Sequence, residues 1–190
     1  MTSMYPMKST SPATTPADSS SPATPSAPRT ARRLQMRSSS VHGKGVFALR
    51  AIAAGEVLIE YTGEVISWEE TIRRHPHDPQ HPEHTFFFQL EDGRVIDGQY
   101  GGNTSRWINH ACDPNCEAEE DADCRVFIKA LRDIAPGEEL FFDYGLNIDE
   151  RYTAALKRRY ACYCGAPHCR GTMLAPKRRA RRPRSAAPSK

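Results

Sequence analysis

The chain has 190 residues, 38% of them apolar, and a net charge of +3. No apolar run approaches the roughly 20 residues that cross a bilayer as a helix, and residues 1–30 lack the apolar stretch of a secretory signal, so a membrane-embedded protein is excluded and synthesis in the cytosol is expected. The charge is divided unevenly: residues 41–175 carry 14 Lys and Arg against 22 Asp and Glu, whereas residues 176–190 carry seven Lys or Arg and no acid. An acidic body disfavours a core that grips nucleic acid and suits a cationic partner, although surplus acid is also what an ordinary solubilising surface carries.

Residues 1–40 hold ten Ser and six Pro with almost no aliphatic periodicity. Such a segment buries too little to offset its ordering entropy and reads as a disordered tail. What remains before the basic end suits one domain with its own core. Gly43-Lys44-Gly45 turns into a short apolar strand over residues 46–49, and residues 58–63 read as a second strand. Ser67 can cap a short helix, with Glu70 three residues on. The piece over 75–84 cannot continue that helix because Pro76, Pro79 and Pro82 interrupt it, and its four His read as part of an exposed loop rather than a metal site. Asp92-Gly93, between residues 85–90 and 94–97, is a hairpin signal. Side chains on a strand alternate faces, so the run Phe86-Phe87-Phe88 puts at least one ring outside the ordinary core.

Residues 49–58 match residues 131–140 at seven of ten positions, each stretch being a turn that launches a strand. Nothing else repeats, so this reads as shared turn grammar rather than a solenoid. Residues 125–130 form another strand. Residues 149–160 can form one helix, with Tyr152, Ala155, Leu156 and Arg159 on one side. Short strands, Gly turns and little helix make the domain mostly β.

The densest chemistry lies in Arg106-Trp107-Ile108-Asn109-His110-Ala111-Cys112-Asp113-Pro114-Asn115-Cys116. Asn109 and His110 offer donors and acceptors side by side, Asp113-Pro114 forces a turn, and Cys112 is a candidate soft metal ligand. Downstream, Cys162, Cys164 and Cys169 form a C-x-C-x4-C cluster, too tight for independent buried thiols. Structural zinc is tetrahedral, so Cys112, Cys116, Cys124 or His168 would complete the set. Six Cys in an intracellular chain point to metal or buried thiols before disulfides.

Five motifs then carry a resemblance: His42-Gly43-Lys44-Gly45-Val46-Phe47; Glu60-Tyr61-Thr62-Gly63-Glu64-Val65-Ile66; the stretch from Arg106 to Cys116; Glu139-Leu140-Phe141-Phe142-Asp143-Tyr144; and Cys162-Tyr163-Cys164 with Cys169-Arg170-Gly171-Thr172-Met173. In this order they resemble SET-domain protein-lysine N-methyltransferases that carry a post-SET zinc segment, over residues 41–174. Composition gives a disordered tail over 1–40 and a basic tail over 175–190, and between them the resemblance implies a SET domain over 41–145 and a connecting helix and post-SET zinc segment over 146–174. It implies an irregular fold of small sheets, in which the segment ending at Tyr144 threads under the loop carrying Asn109 as a pseudoknot. S-adenosyl-L-methionine would contact His42, the backbone around Lys44 and Val46, Asn109 and His110, with Tyr163 near the adenine. Tyr144 would orient the lysine amine, walled by Phe142 and Phe86, and Cys112 would join Cys162, Cys164 and Cys169 on zinc. Two positions depart from the pattern. Ala111 stands where relatives often have Ser, and Phe86 where many have a Tyr that helps hold the amine and the cofactor.

The implied activity is methyl transfer to lysine in a basic protein or peptide, such as a histone or histone-like protein. The competing class is a catalytically silent binding module that recruits partners through the basic tail, and Tyr144, Asn109 and His110 argue against it. The tail, Lys177-Arg178-Arg179-Ala180-Arg181-Arg182-Pro183-Arg184, suits a nuclear localisation signal, a weak nucleic-acid contact or a solvated end alike. A monomer without membrane attachment is expected, nuclear if the cell is eukaryotic.

Overall fold

The computed structural model describes residues 32–75, 85–148 and 150–177. The expectation of disorder over 1–31, the His/Pro-rich loop from Pro76 to His84 and the basic tail from Arg178 lie outside these residues. No described helix is long and apolar enough to cross a membrane.

Four small sheets make up the fold. Strands β1 (Leu34–Ser38) and β2 (Lys44–Ala48) pair antiparallel, with Leu34 opposite Ala48. Strand β1 falls inside the stretch expected to be disordered. Its Leu34 packs against the core, and a five-residue strand at the end of a Ser/Pro-rich segment is diluted by the composition of the rest. A second sheet has the order β3 (Val57–Tyr61), β9 (Val126–Ala130), β8 (Cys116–Glu120), all antiparallel. In β9, Val126, Ile128 and Ala130 are buried in alternation, as a strand with one face on the core requires. The third sheet sets β6 (Val95–Asp97) between β4 (Glu64–Ile66) and β5 (Phe87–Gln89), with the Asp92-Gly93 turn joining β5 to β6 and Gly93 at φ 87°.

The fourth sheet is a parallel pair of two-residue strands, β7 (Asn109–His110) and β10 (Phe141–Phe142), in which Phe141 faces Asn109 and Phe142 faces His110. The segment leading to Tyr144 therefore runs alongside the Asn109 stretch. Helix α1 (Trp68–Arg74) starts as its sequence predicts, the Ser67 hydroxyl accepting from the Glu70 N–H at 3.2 Å. Helix α2 (Ala154–Arg159) is shorter than the expected 149–160. Thr153 caps it, accepting from the Leu156 N–H, and no residue of the helix is buried.

The repeated turns do more than share grammar: they bond to each other. The N–H groups of Ile52 and Ile134 each donate to the other's carbonyl, at 3.0 and 2.9 Å. Gly55 N donates to Ala130 O at 2.8 Å, and Gly137 N donates to Ala48 O at 2.7 Å. Inside each copy a glutamate, Glu56 or Glu138, accepts from the N–H of the alanine three residues before it. Equal residues make equal bonds in both directions, which is a local two-fold. Around it lies the main core of Val46, Ala48, Ile52, Ile108, Cys116, Ile128, Ala130, Ile134, Leu140 and Phe142. Fully burying a side chain of the Ile or Leu kind stabilises by about 1.5–3 kcal/mol, so this cluster fixes the frame on which the site stands.

Candidate active site

Asn109 and His110 are both buried on β7, where the parallel partner β10 leaves their side chains directed at loops rather than at a sheet neighbour. The Asn109 amide donates from Nδ2 to the carbonyls of His42 at 3.3 Å and Lys44 at 2.9 Å, and to Glu139 Oε1 at 3.0 Å. It thereby holds the turn between β1 and β2. The imidazole of His110 accepts the Tyr144 N–H on Nδ1 at 3.1 Å, which leaves the Nε2 proton for the Cys112 sulfur 3.4 Å away. Burial lowers the His110 pKa, Asp143 opposes that and Arg170 adds to it; the net direction is down.

These residues open onto a cavity of about 710 Å³. Of the nine residues singled out from sequence for the cofactor or the amine, His42, Lys44, Asn109, His110, Tyr163, Phe86 and Tyr144 line it. Two do not. The Val46 side chain is fully buried in the core, so only backbone near it is available to a ligand, and Phe142 is 6% exposed and packs on Tyr144 with ring centroids 4.9 Å apart. The lining also includes Arg106, Arg158 and Arg159, and among the described residues no carboxylate lines it. Tyr163 is 79% exposed on the cysteine segment that walls one side.

Two phenols, buried Tyr61 and partly buried Tyr144, sit near the aromatic wall. The Tyr144 hydroxyl donates to the Ile108 carbonyl at 2.9 Å, and the Tyr61 hydroxyl donates to the Phe86 carbonyl at 2.9 Å. Burial raises both pKa values, so both stay neutral phenols. Each has committed its only proton to backbone and keeps lone pairs free to accept. Tyr61 was not among the candidates; its signal was present in Glu60-Tyr61-Thr62-Gly63, but only the tertiary contact with Phe86 gives it a place. Phe86 itself packs edge-on against Trp107 at 4.8 Å, with the Arg106 guanidinium 5.5 Å from its ring. It therefore supplies a wall with its ring and an anchor with its carbonyl.

Behind His110 the sulfurs of Cys112, Cys162, Cys164 and Cys169 all lie within 4.8 Å of one another. Zinc–sulfur bonds of about 2.3 Å in a tetrahedron put sulfurs ~3.8 Å apart. Cys112 stands 3.7 Å from Cys162 and 3.9 Å from Cys169. Each sulfur also takes one backbone N–H: Cys112 from Arg170, Cys162 from Cys164, Cys164 from Cys112 and Cys169 from Gly171. Four N–H groups aimed at four sulfurs suit thiolates, and the set fits zinc. Cys116 is fully buried, and burial pushes its thiol up to about 12; Cys124 lies apart, beside Asp92. The segment is further tied down by Arg170, whose two terminal nitrogens each meet an Asp143 oxygen at 2.7 Å.

Residues 43–145 match the family profile described as the SET domain. The chain belongs to the SET-domain family. Among curated relatives, this SET domain is 38% identical over 138 residues to the histone-lysine N-methyltransferase trr of Drosophila melanogaster, covering 71% of this chain and 6% of that protein. It is 37% identical over 148 residues to histone-lysine N-methyltransferase ATX2 of Arabidopsis thaliana, covering 75% and 13%. With the H3 lysine-4 specific histone-lysine N-methyltransferase of Saccharomyces cerevisiae it shares 38% over 137 residues, covering 70% and 12%. The chain thus spans a small part of each of these relatives. Among solved structures, Chaetomium thermophilum polycomb repressive complex 2 in an autoinhibited conformation bound to S-adenosylmethionine is similar, with a TM-score of 0.56 at 37% identity, over 62% of this chain and 16% of that one.

Proposed function

We propose that this SET domain transfers methyl groups from S-adenosyl-L-methionine to the side-chain amine of lysine in a basic protein, with a histone as the favoured substrate. The observation that carries the reading is the single cavity onto which His42, Asn109, His110 and Tyr163 open together with Tyr144 and Phe86. Named histone-lysine N-methyltransferases as relatives and a structural neighbour bound to S-adenosylmethionine support it. The acidic body favours a Lys/Arg-rich partner by long-range attraction. In a eukaryotic cell such a substrate places the work in the nucleus.

When bound, S-adenosyl-L-methionine would supply a methyl group on a sulfonium: the lone pair of a neutral amine bonds to the methyl carbon in line as the carbon–sulfur bond breaks, a neutral thioether leaves, and the methylated ammonium gives its proton to water. The chain's residues supply orientation and dryness. Tyr144 and Tyr61 hold phenol oxygens whose protons are already given to Ile108 and Phe86, so they accept from the amine N–H instead of donating to its lone pair. Aromatic surroundings lower the lysine pKa toward the uncharged form and tolerate methylammonium products. Asn109 fixes the loop of His42 and Lys44, which would hold the cofactor, and Cys112, Cys162, Cys164 and Cys169 would hold the zinc that ties down the segment carrying Tyr163.

The test is incubation of the zinc-loaded chain with methyl-labelled cofactor and mixed core histones. Label on histone lysine is the expected result. Intact zinc and cofactor binding without any label would return the silent module, a reading that gains no support from a cavity lined by Asn109, His110 and Tyr144.

A further inference from the structure

One buried carboxylate is used by none of the steps above. Glu139 is 8% exposed, and its two oxygens meet two neutral donors: Oε1 takes the Asn109 amide at 3.0 Å and Oε2 takes the Ser39 hydroxyl at 3.0 Å. A carboxylate buried against neutral donors alone is costly to keep, so its position calls for a reason. Ser39 shows where that reason lies. Its oxygen also accepts from Val41 N at 3.0 Å and His42 N at 3.5 Å, while Ser39 N donates to Gly43 O at 3.0 Å. One proton and two lone pairs are all that a hydroxyl has, and here all three are in use.

The loop over 41–44 is thus held from two sides. Ser39 holds its N–H groups at Val41 and His42; Asn109 holds its carbonyls at His42 and Lys44; Glu139 ties the two holders together. The next residue is shaped to admit the carboxylate, because a Cβ on Gly45 would stand 2.0 Å from Glu139 Oε1. Neither Ser39 nor Glu139 lines the cavity, whereas Val41, His42, Lys44 and Asn109 do. Ser39 also precedes the stretch matched by the family profile.

We propose that Ser39 and Glu139 form a positioning pair that sets the affinity for S-adenosyl-L-methionine by fixing the loop over 41–44 and the Asn109 amide as one unit. The inference rests on the cofactor reading above. Without the hydroxyl, two loop N–H groups lose their acceptor and one carboxylate oxygen loses its donor. The loop then samples orientations in which His42 and Lys44 no longer meet the cofactor together, and the cost falls on binding, since the amine-orienting phenols belong to other elements.

The test uses the full zinc-loaded chain, calorimetry with S-adenosyl-L-methionine, and steady-state kinetics on histone. For Ser39→Ala, Kd and KM for the cofactor rise about tenfold, as expected for losing hydrogen bonds to a charged group. The kcat at saturating cofactor and the KM for histone stay near wild type, while the Tm falls by a few degrees for the freed N–H groups and carboxylate oxygen. Ser39→Thr keeps the hydroxyl and restores the affinity, and Gly45→Ala, which displaces the carboxylate, weakens binding in the same way. Combining Ser39→Ala with Glu139→Gln costs less than the sum of the two, because they break one unit. A Ser39→Ala protein with wild-type cofactor affinity overturns the pair, as does one whose kcat falls in step with its affinity. A wild-type chain that fails to bind S-adenosyl-L-methionine overturns the functional reading as well, which separates the two failures.

Discussion

The two turns over 49–58 and 131–140 make the same reciprocal hydrogen bonds and yet do different work. In the first, the residue after the shared glutamate is Val57, 51% exposed, and the chain runs on into β3. In the second, the equal place is Glu139, 8% exposed, and the chain runs on beside β7 to Tyr144. The local grammar builds frame in both cases. What turns the second copy into part of a site is what it meets afterwards: Asn109, Ser39, and the cysteine segment joined to it by Asp143–Arg170 and by the Leu146–Leu174 bridge. The difference teaches that identical turns become scaffold or site according to the long-range partner of one residue.

The sharpest way to separate frame from site is to take away zinc. Chelation should abolish cofactor binding and methyl transfer while the amides of Ile52 and Ile134 keep their hydrogen-exchange protection, because a metal on the four sulfurs would close the long loop from Cys112 to the cysteine segment and lies outside the bonded turns. Loss of protection at both amides in step with zinc would show that the two regions do not separate. Next in size are changes along the extension of the second copy. Tyr144→Phe should lower turnover about a hundredfold with cofactor affinity near wild type, whereas Asn109→Ala and His110→Ala should remove measurable cofactor binding by calorimetry. Equal cofactor affinity in all three variants would contradict these roles.

A matched pair of substitutions probes the turns themselves. Glu56→Ala should cost about 1 kcal/mol in urea unfolding by freeing the Ala53 N–H and the Arg33 guanidinium, with activity kept. Glu138→Ala frees the Ala135 N–H and also removes one of the two acceptors of buried Asn115, which keeps the Glu139 carbonyl and whose Oδ1 holds the Phe141 N–H, so it should cost more and lower activity too. The Arg132 side of that pair is 57% exposed and adds little. Burial raises the Glu138 pKa, but hydrogen bonds from Arg132 and Asn115 hold it below its ordinary 4.5. A depressed carboxyl stabilises the fold above its unfolded pKa, and that contribution is lost as pH falls through the lower folded value. Glu138→Gln should therefore flatten the fall in Tm below about pH 4.5. The smallest effect is on product. Phe142 brings no hydroxyl to the phenols, so di- or trimethyl-lysine is the expected end product, and Phe142→Tyr should shift it several-fold toward monomethyl-lysine, read by mass spectrometry at exhaustive reaction.

Much of the frame was legible because its signals are local. The Ser67 cap, the Asp92-Gly93 hairpin and the strand at Val126–Ala130 each follow from residues within a few positions of one another. The cysteine spacing declared a metal cluster and left its fourth member open among four candidates; folding brings Cys112 to the other three and keeps Cys116 and Cys124 away. Strand β1 was hidden by the composition of the segment before it. The late start of α2 was hidden because Thr153 wins the cap over residues upstream that the helical pattern also suits.

The sequence by itself determined the turn chemistry, the mostly β class, the family motifs and the residue types available for a cofactor and a metal, since each depends on short-range stereochemistry and side-chain inventory. Only the tertiary structure decided that the two repeated turns bond to each other, that Tyr61 gives its proton to Phe86, and that Ser39 and Glu139, a hundred positions apart, hold one loop. Those facts depend on which surfaces meet when the core closes, and a hydrogen bond between distant residues leaves no period or spacing in the chain to be read.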